Sequence, residues 1–405
     1  MKFVEGGVCA AKGFKASGLH VGVKTKNKEK KDLALIVADC ECTTAAVYTR
    51  NLVKAAPLIV TKDNLSNGKA RIVFANSGNA NACAPLGEEN ARRMCLTIAE
   101  ELGMNDNDVL VASTGVIGQT LPIDIIESGV TELVSKLSYE GSKDAASAIM
   151  TTDLLMKELA VEFEIEGKTA RIGGIAKGSG MIHPNMGTML AFLTTDCAIS
   201  SEMIQKALVN ATNISFNRIS VDGDTSTNDF MSLIANGLAG NTEITETCAD
   251  YEAFAEALNT LCIELAKKIA ADGEGATHLI TCKVSGAKNE EEAETLSKSV
   301  ISSTLTKAAI FGADANWGRV LCAMGYSGVE FNPNTVSISF ESNAGRIDVC
   351  KSGRGLPFDE PTAKKILTER DITIDINLNT GTSECICWGC DITYDYIKIN
   401  GDYRT

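Results

Sequence analysis

Histidine is almost missing from this chain: His20, His183 and His278 are the only three in 405 residues. A His-rich metal site or a Ser/His/Asp triad would have to draw on that set, and none of the three has a second His at ligand spacing. Positive charge is also short, with Lys+Arg at 38 against Asp+Glu at 52 and a net charge of −14. That balance argues against nucleic acid and against an anionic membrane surface, because phosphate is held by clustered Lys and Arg. An acidic chain that binds an acidic small molecule then needs a local cation. Long apolar runs are lacking too. "LALIVA" at 33–38 and "MLAFL" at 189–193 fall far short of the ~20 residues of a spanning helix. The opening "MKFVEGGVCAAKGF" carries Glu5 where a signal peptide needs an unbroken apolar region, so a cytoplasmic location is expected. The seven prolines are scattered, and no Pro-rich linker, internal repeat or low-complexity tract stands out.

What is present is an ordinary globular composition, 44% hydrophobic and 22% charged, which excludes a disordered or fibrous chain. At ~150 residues per domain the length suggests two or three structural units. Fourteen cysteines without an export signal read as reduced thiols, most of them buried.

Strand-like runs alternate with helix-like ones, which predicts α/β or α+β architecture. "DLALIVAD" (32–39), "ARIVFAN" (70–76) and "DVLVAST" (108–114) read as buried strands. Between the last two, Ala91, Met94, Cys95, Ile98, Ala99 and Leu102 mark one face of a helix that Gly103 stops. A second helix is predicted over 250–271, with Phe254, Leu258, Leu261, Cys262, Leu265 and Ile269 on one face. "VSISF" (336–340) and "ITIDINL" (372–378) alternate as half-exposed antiparallel strands do. The expected fold is a mixed α/β layered sandwich, sheets covered by helices, in roughly two lobes.

Several motifs invite functional readings and most fail them. "VDGDTSTND" (221–229) imitates the start of a calcium loop, but Thr227 stands where the loop needs Gly and Leu233 where it needs Glu. A side-chain-bonded turn fits better. Cys387 and Cys390 form a C-x-x-C, yet the next residues, "DITYDYIKIN", read as strand, and no helix N-terminus is predicted to lower a thiol pKa. Buried strand cysteines are the better reading. The Gly-rich "GGIAKGSGMIHPNMG" (173–187) lacks the third glycine of a dinucleotide fingerprint and the Gly-Lys-Ser/Thr of a phosphate loop. It ends at Thr188, which opens the apolar run "MLAFL". If the Gly187–Thr188 bond is cut, Thr188 gains an α-amine beside its own hydroxyl. That amine, with an ordinary pKa of about 7.7–8, can serve as base to its own nucleophile without a histidine. From spacing alone, a surface loop entering a strand remains the simpler reading.

The run "KGSGMIHPNMGTMLAFLTTD" (177–196) resembles the self-cleaving site of the ornithine acetyltransferases, the glutamate N-acetyltransferases of arginine biosynthesis. "GGVCAAKGFKASG" (6–18), "NSGNANAC" (76–83), "STGVIG" (113–118), "TTD" (151–153), "VDGDTSTND", "DGEGAT" (272–277), "DANWGR" (314–319) and "WGCDITYDYIKINGDYRT" (388–405) extend the likeness over essentially the whole chain. The resemblance implies an N-terminal-nucleophile-like fold with a second, C-terminal lobe. It implies cleavage at Gly187–Thr188 into an α chain, 1–187, and a β chain, 188–405, assembled as a heterotetramer of two of each. Thr188 is then the nucleophile, Thr114 and Gly115 the oxyanion pair. Thr151 (with Thr152 as alternative), Lys177, Thr188, Glu274, Asn400 and Thr405 are substrate contacts. Glu274, expected to be exposed just past the Asp272-Gly273 helix stop, would pair with the side-chain amine of ornithine. The implied reaction passes an acetyl group from N-acetylornithine to glutamate, with no metal or bound cofactor; some members of the family also take acetyl-CoA as co-substrate. Two positions depart from the pattern: Gly187 replaces the usual Ala and Ala313 the usual Arg. Two rivals differ in class, an N-terminal-threonine amidohydrolase or aminopeptidase in which water attacks, and an uncleaved binding protein.

Overall fold

The computed structural model describes residues 1–24, 29–183 and 189–402. The chain is mixed α/β, with sheets of six, seven and four strands. It forms two compact units: one holds Met1–Gly178, Pro184–Asn217 and Thr225–Ile269, the other Ser179–His183, Arg218–Asp224 and Ala270–Thr405. Among the described residues no helix is long and apolar enough to cross a membrane.

The larger unit is a four-layer sandwich. Its four-stranded sheet runs Phe14–Leu19, Leu33–Ala38, Ile72–Asn79, Val109–Val116. Its six-stranded sheet runs Lys2–Val4, Lys157–Ile165, Lys168–Lys177, Leu190–Thr195, Phe230–Ala235, Thr43–Tyr48. One buried cluster takes residues from both, among them Phe14, Ile36, Val73 and Leu110 from the first and Ile175, Phe192, Phe230 and Ile234 from the second. The other face of the four-stranded sheet is covered by the helix Gly87–Leu102, which buries Ala91, Met94, Cys95, Ile98 and Ala99 as predicted. Gly103 stops that helix in the left-handed conformation, at φ +65°. Ala249–Ala271 presents Phe254, Leu258, Leu261, Cys262, Leu265 and Ile269 to the interior, all fully buried. Phe254 meets Phe163 of the six-stranded sheet edge to face, ring centroids 6.4 Å apart. Near-continuous burial of Leu33–Ala38, Ile72–Asn79 and Leu190–Thr195 explains why these strands read as apolar runs without alternation.

The smaller unit is a mixed sheet, in order Ile219–Ser220, Ser383–Cys390, Leu279–Ala287, Asp371–Asn377, Ser337–Ser342, Gly345–Lys351, Arg354–Gly355. Its core joins Ile280, Phe340, Ile374 and Cys387 to Leu296 and Val300 of the helix Glu290–Ser302. Asp371–Asn377 alternates between buried and more exposed positions as predicted. Ser337–Ser342 does not, because Arg346 covers Ser339 and donates to its Oγ at 2.6 Å. The tail corrects a second expectation. "YDYIKINGD" is a helix, Tyr394–Asp402, not a strand. Thr393 Oγ1 accepts the Tyr396 amide at 3.3 Å, capping the start of that helix. Ala313, the departure before "DANWGR", is left-handed at φ +51° just past the helix Thr304–Phe311.

Candidate active site

The larger unit carries the first group of site residues at the end of the strand Val109–Val116. Thr114 is buried there. Gly115 follows at φ +132°, and a Cβ on it would lie 2.4 Å from the carbonyl carbon of Gly78 and 2.6 Å from the amide of Asn79. Only glycine fits this close approach of two backbones. The strand end is braced from "VDGDTSTND": Asn228 Nδ2 donates to the carbonyls of Ser113 at 2.8 Å and Ala80 at 2.6 Å. Ser113 Oγ donates to Asn76 Oδ1 at 2.6 Å, and Asn76 Nδ2 reaches the Asn79 carbonyl at 2.9 Å. Two of the recognised motifs thus serve to fix a third.

Lys177 ends the strand Lys168–Lys177, and its Nζ donates to Thr114 Oγ1 at 3.4 Å. Asp153, from "TTD", lies within the same charge cluster. It accepts from Lys157 Nζ at 2.7 Å, the Gly178 amide at 2.7 Å and the Thr151 amide at 3.0 Å. Burial disfavours the Asp153 charge, but Lys177 and Lys157 outweigh it and hold the carboxyl well below the usual range. Thr151 and Thr152 are both half-buried on this turn. Lys24, half-buried, donates from Nζ to the carbonyls of Lys31 at 2.6 Å and Met150 at 2.7 Å. Burial and the charges of Lys30 and Lys177 lower its pKa to about 8, against the opposing pull of Asp32.

The strand that follows the Gly-rich segment is Leu190–Thr195, buried throughout. It pairs antiparallel with Lys168–Lys177, so that Lys177 stands opposite Leu190. On its other side runs Phe230–Ala235, parallel, with Phe230 opposite Leu190. Asp229, just ahead of that strand, is 1% exposed, and its carboxyl accepts the Met189 amide. Burial pushes it well above the carboxylate range despite hydrogen bonds from Thr49 and Ser226 and the charge of Lys177. Among the described residues its Oδ2 has no hydrogen-bond partner. Gly187 and Thr188 lie outside the described residues.

The smaller unit carries Glu274 and Asn400. Glu274 is 7% exposed, which corrects the expectation of an exposed carboxylate past a helix stop. After Ala271 the chain turns inward: Asp272 is buried, its carbonyl accepting from Ser179 Oγ at 2.8 Å, while the Glu274 amide donates to the Ser179 carbonyl at 3.0 Å. Asn400 Nδ2 donates to Glu274 Oε2 at 2.8 Å. Thr405 lies outside the described residues. Asp222 accepts the amides of Met181 at 2.6 Å and Ile182 at 2.9 Å, the side-chain-bonded turn expected of its motif. Among the described residues no group of three His, Cys, Asp or Glu could hold a metal. Cys387 and Cys390 are both buried in the strand Ser383–Cys390, where their odd spacing points them to opposite faces.

Sequence reasoning missed Asp153, Lys157 and Asp229. A signal was available in Lys157, a cation between "TTD" and a strand whose next residues are apolar and acidic; it is 1% exposed.

Comparison with known proteins assigns the chain to a family. The model of the ArgJ family matches residues 15–405. The arginine biosynthesis bifunctional protein ArgJ of Symbiobacterium thermophilum is 49% identical over 406 residues, covering 100% of both chains. ArgJ 1 of Clostridium acetobutylicum is 48% identical over 97% of this chain and 96% of its own. Among solved structures, the arginine biosynthesis bifunctional protein argJ of Bacillus halodurans is 47% identical, with a TM-score of 0.50; it covers 53% of this chain and 100% of its own. Over essentially its whole length, then, this chain belongs to the ArgJ family.

Proposed function

We propose that this chain cuts itself at Gly187–Thr188 and then moves an acetyl group from N-acetylornithine to glutamate by way of an acetyl ester on Thr188. Membership in the family makes it an acyltransferase of arginine biosynthesis. The observation that carries the residue-level reading is the meeting of Lys177 with Thr114 at 3.4 Å on a strand whose partner begins two residues after Thr188. Motifs distant in sequence thereby meet on the strand paired with Leu190–Thr195.

In this scheme Thr188 Oγ attacks the acetyl carbonyl and the Thr188 α-amine takes the hydroxyl proton. Thr114 and Gly115 stabilise the developing oxyanion; losing one such donor costs roughly 10²–10³ in rate. Ornithine leaves with the proton returned to its nitrogen. Glutamate then attacks the ester, releasing N-acetylglutamate and the free hydroxyl. The Lys177 cation helps keep the nearby α-amine neutral, and hence basic, and is suited to hold a substrate carboxylate. Thr151, on the turn bound to Asp153, is the contact we assign beside it. In the smaller unit Glu274 takes the ornithine side-chain ammonium, with Asn400 and Thr405 as further contacts. No step calls for a metal or bound cofactor. The relatives' name "bifunctional" supports a second activity, for which acetyl-CoA is the donor we assign. Water as sole attacker, the hydrolase alternative, is not favoured for a member of a biosynthetic transferase family.

The Bacillus halodurans chain, wholly matched yet spanning 53% of this one, supports the division into 1–187 and 188–405, since the second piece is likewise just over half. The assembly we infer is two of each piece, in the cytoplasm. On a denaturing gel the purified protein should give two bands, with the smaller mass beginning at Met1 and the larger at Thr188. Full activity in a chain that remains at 42.9 kDa would overturn the scheme. Thr188→Ala should stay whole and inactive, and Thr114→Ala should lose roughly 10²–10³ in kcat while keeping its melting temperature.

A further inference from the structure

The loop that bears Glu274 is bound to the chain's tail at three places, all within the smaller unit. The first is Asp391, the residue after the strand Ser383–Cys390, itself 3% exposed. Its carboxylate accepts from the Thr277 amide at 2.8 Å, Thr277 Oγ1 at 2.5 Å and the His278 amide at 3.0 Å. His278 Nδ1 lies 2.9 Å from its Oδ2. The second is Thr393, whose Oγ1 donates to the Gly275 carbonyl at 2.7 Å while accepting the Tyr396 amide. The third is Asn400, which reaches Glu274 Oε2. Gly275 sits at φ +67°, and a Cβ there would lie 2.7 Å from the Tyr396 amide and 2.9 Å from Thr393 Oγ1. Tail and loop are therefore in direct backbone contact with no room for a side chain.

Four donors on one buried carboxylate are more than a turn of this length needs. A Gly-rich loop, "DGEGAT", has little conformational preference of its own. Left to itself it would sample many positions of Glu274, and a carboxylate that drifts by even 1 Å loses much of its value in recognition. Fixing positions 277 and 278 from below and 275 from the side leaves Glu274 one orientation, with Asn400 occupying one of its two oxygens.

We propose that Asp391 is a positioning residue for donor specificity: by holding Thr277 and His278 it fixes the loop so that Glu274 presents its second oxygen to the side-chain ammonium of the acetyl donor. The proposal rests on the reading of Glu274 given above. Asp391 touches no substrate and acts only through the loop. Burial works against its charge, yet the bonds from His278 and Thr277 keep its carboxyl below the ordinary range.

The test uses the purified full-length protein, with N-acetylornithine and with N-acetylnorvaline, a donor of similar shape without the ammonium. Asp391→Asn, which turns an acceptor into a donor facing donors, should raise KM for N-acetylornithine roughly ten-fold. KM for glutamate and for N-acetylnorvaline should stay within about two-fold. In a Glu274→Gln background the same change should add almost nothing, because the group being positioned is gone. Thr277→Val, which removes one of the four donors, should give a smaller effect of the same selectivity and provides the reading if Asp391→Asn folds poorly. A KM rise that is equal for both donors, or a lower melting point with no change in KM, would make Asp391 a structural residue and overturn the proposal. If Glu274→Gln itself leaves KM for N-acetylornithine unchanged, the reading of Glu274 falls first, and its failure is seen separately from that of the clamp.

Discussion

Two buried aspartates of the larger unit, Asp153 and Asp229, meet opposite fates. Both are at most 2% exposed, and the charge of Lys177 bears on both. Asp153 has a lysine ammonium at 2.7 Å and two backbone amides, and it is held ionised. Asp229 has hydroxyls and one amide, with one oxygen unpartnered among the described residues, and its carboxyl is pushed up. Burial is common to the two and so cannot be what distinguishes them. Formal charge directly on the carboxylate is. Two carboxyls of one unit are thus shifted in opposite directions, Asp153 down and Asp229 up.

The largest test of that contrast is Asp153→Ala. It removes the carboxylate that the buried Lys157 contacts at 2.7 Å, and should cost about 3–5 kcal/mol in urea unfolding. A loss below about 1 kcal/mol would mean that water already screens the cluster. Asp229→Asn should have the opposite sign. An acid whose folded pKa is raised gives stability that is whole below its unfolded pKa of 3.8 and lost as pH rises through the folded value. The Asn variant should therefore match wild type near pH 3.8 and exceed it by about 1–3 kcal/mol once the folded value is passed. Asp153, with its folded pKa depressed, gives stability present above 3.8 and lost as pH falls below it. Asp153→Asn should accordingly flatten the acid limb of a stability–pH curve, whereas Asp229→Asn flattens the other. Identical curves for the two variants would erase the comparison. The smallest effect belongs to Lys24. Its pKa is lowered to about 8 from 10.5, so wild type should gain stability as pH rises between those values, and Lys24→Met should abolish that slope.

Much of the fold was legible because burial writes itself into sequence. The faces of Gly87–Leu102 and Ala249–Ala271 and the apolar strands at 33–38, 72–79 and 109–116 follow from periodicity and run length alone. The tail helix was hidden because "ITYDYIKIN" alternates polar and apolar residues as strands do, while its helical start depends on a cap from Thr393. Glu274 was misplaced for a related reason. Charge argues for the surface, and the bonds that hold its loop inside come from Ser179, Asp391 and Asn400, more than 90 positions away in sequence. Of the site, resemblance supplied the residue names and the structure supplied the links between Thr114, Lys177 and Asp153. The acid at 229 was invisible to periodicity and resemblance alike, since its raised pKa comes from burial in the folded chain.

The position of Leu190–Thr195 in the six-stranded sheet has a consequence for how such a protein can be made. This strand and Phe230–Ala235, both from beyond the proposed cut, stand between Lys168–Lys177 and Thr43–Tyr48, both from before it. A gene divided at codon 188 would produce a first half in which Thr43–Tyr48 has lost its ladder partner and Lys168–Lys177 ends in an open edge. Unpaired edges of that kind recruit foreign strands. Two independent half-genes are therefore expected to yield more aggregate than one continuous reading frame. Cleavage at the proposed bond would leave the ladder from Lys177 opposite Leu190 to Ile172 opposite Thr195 intact.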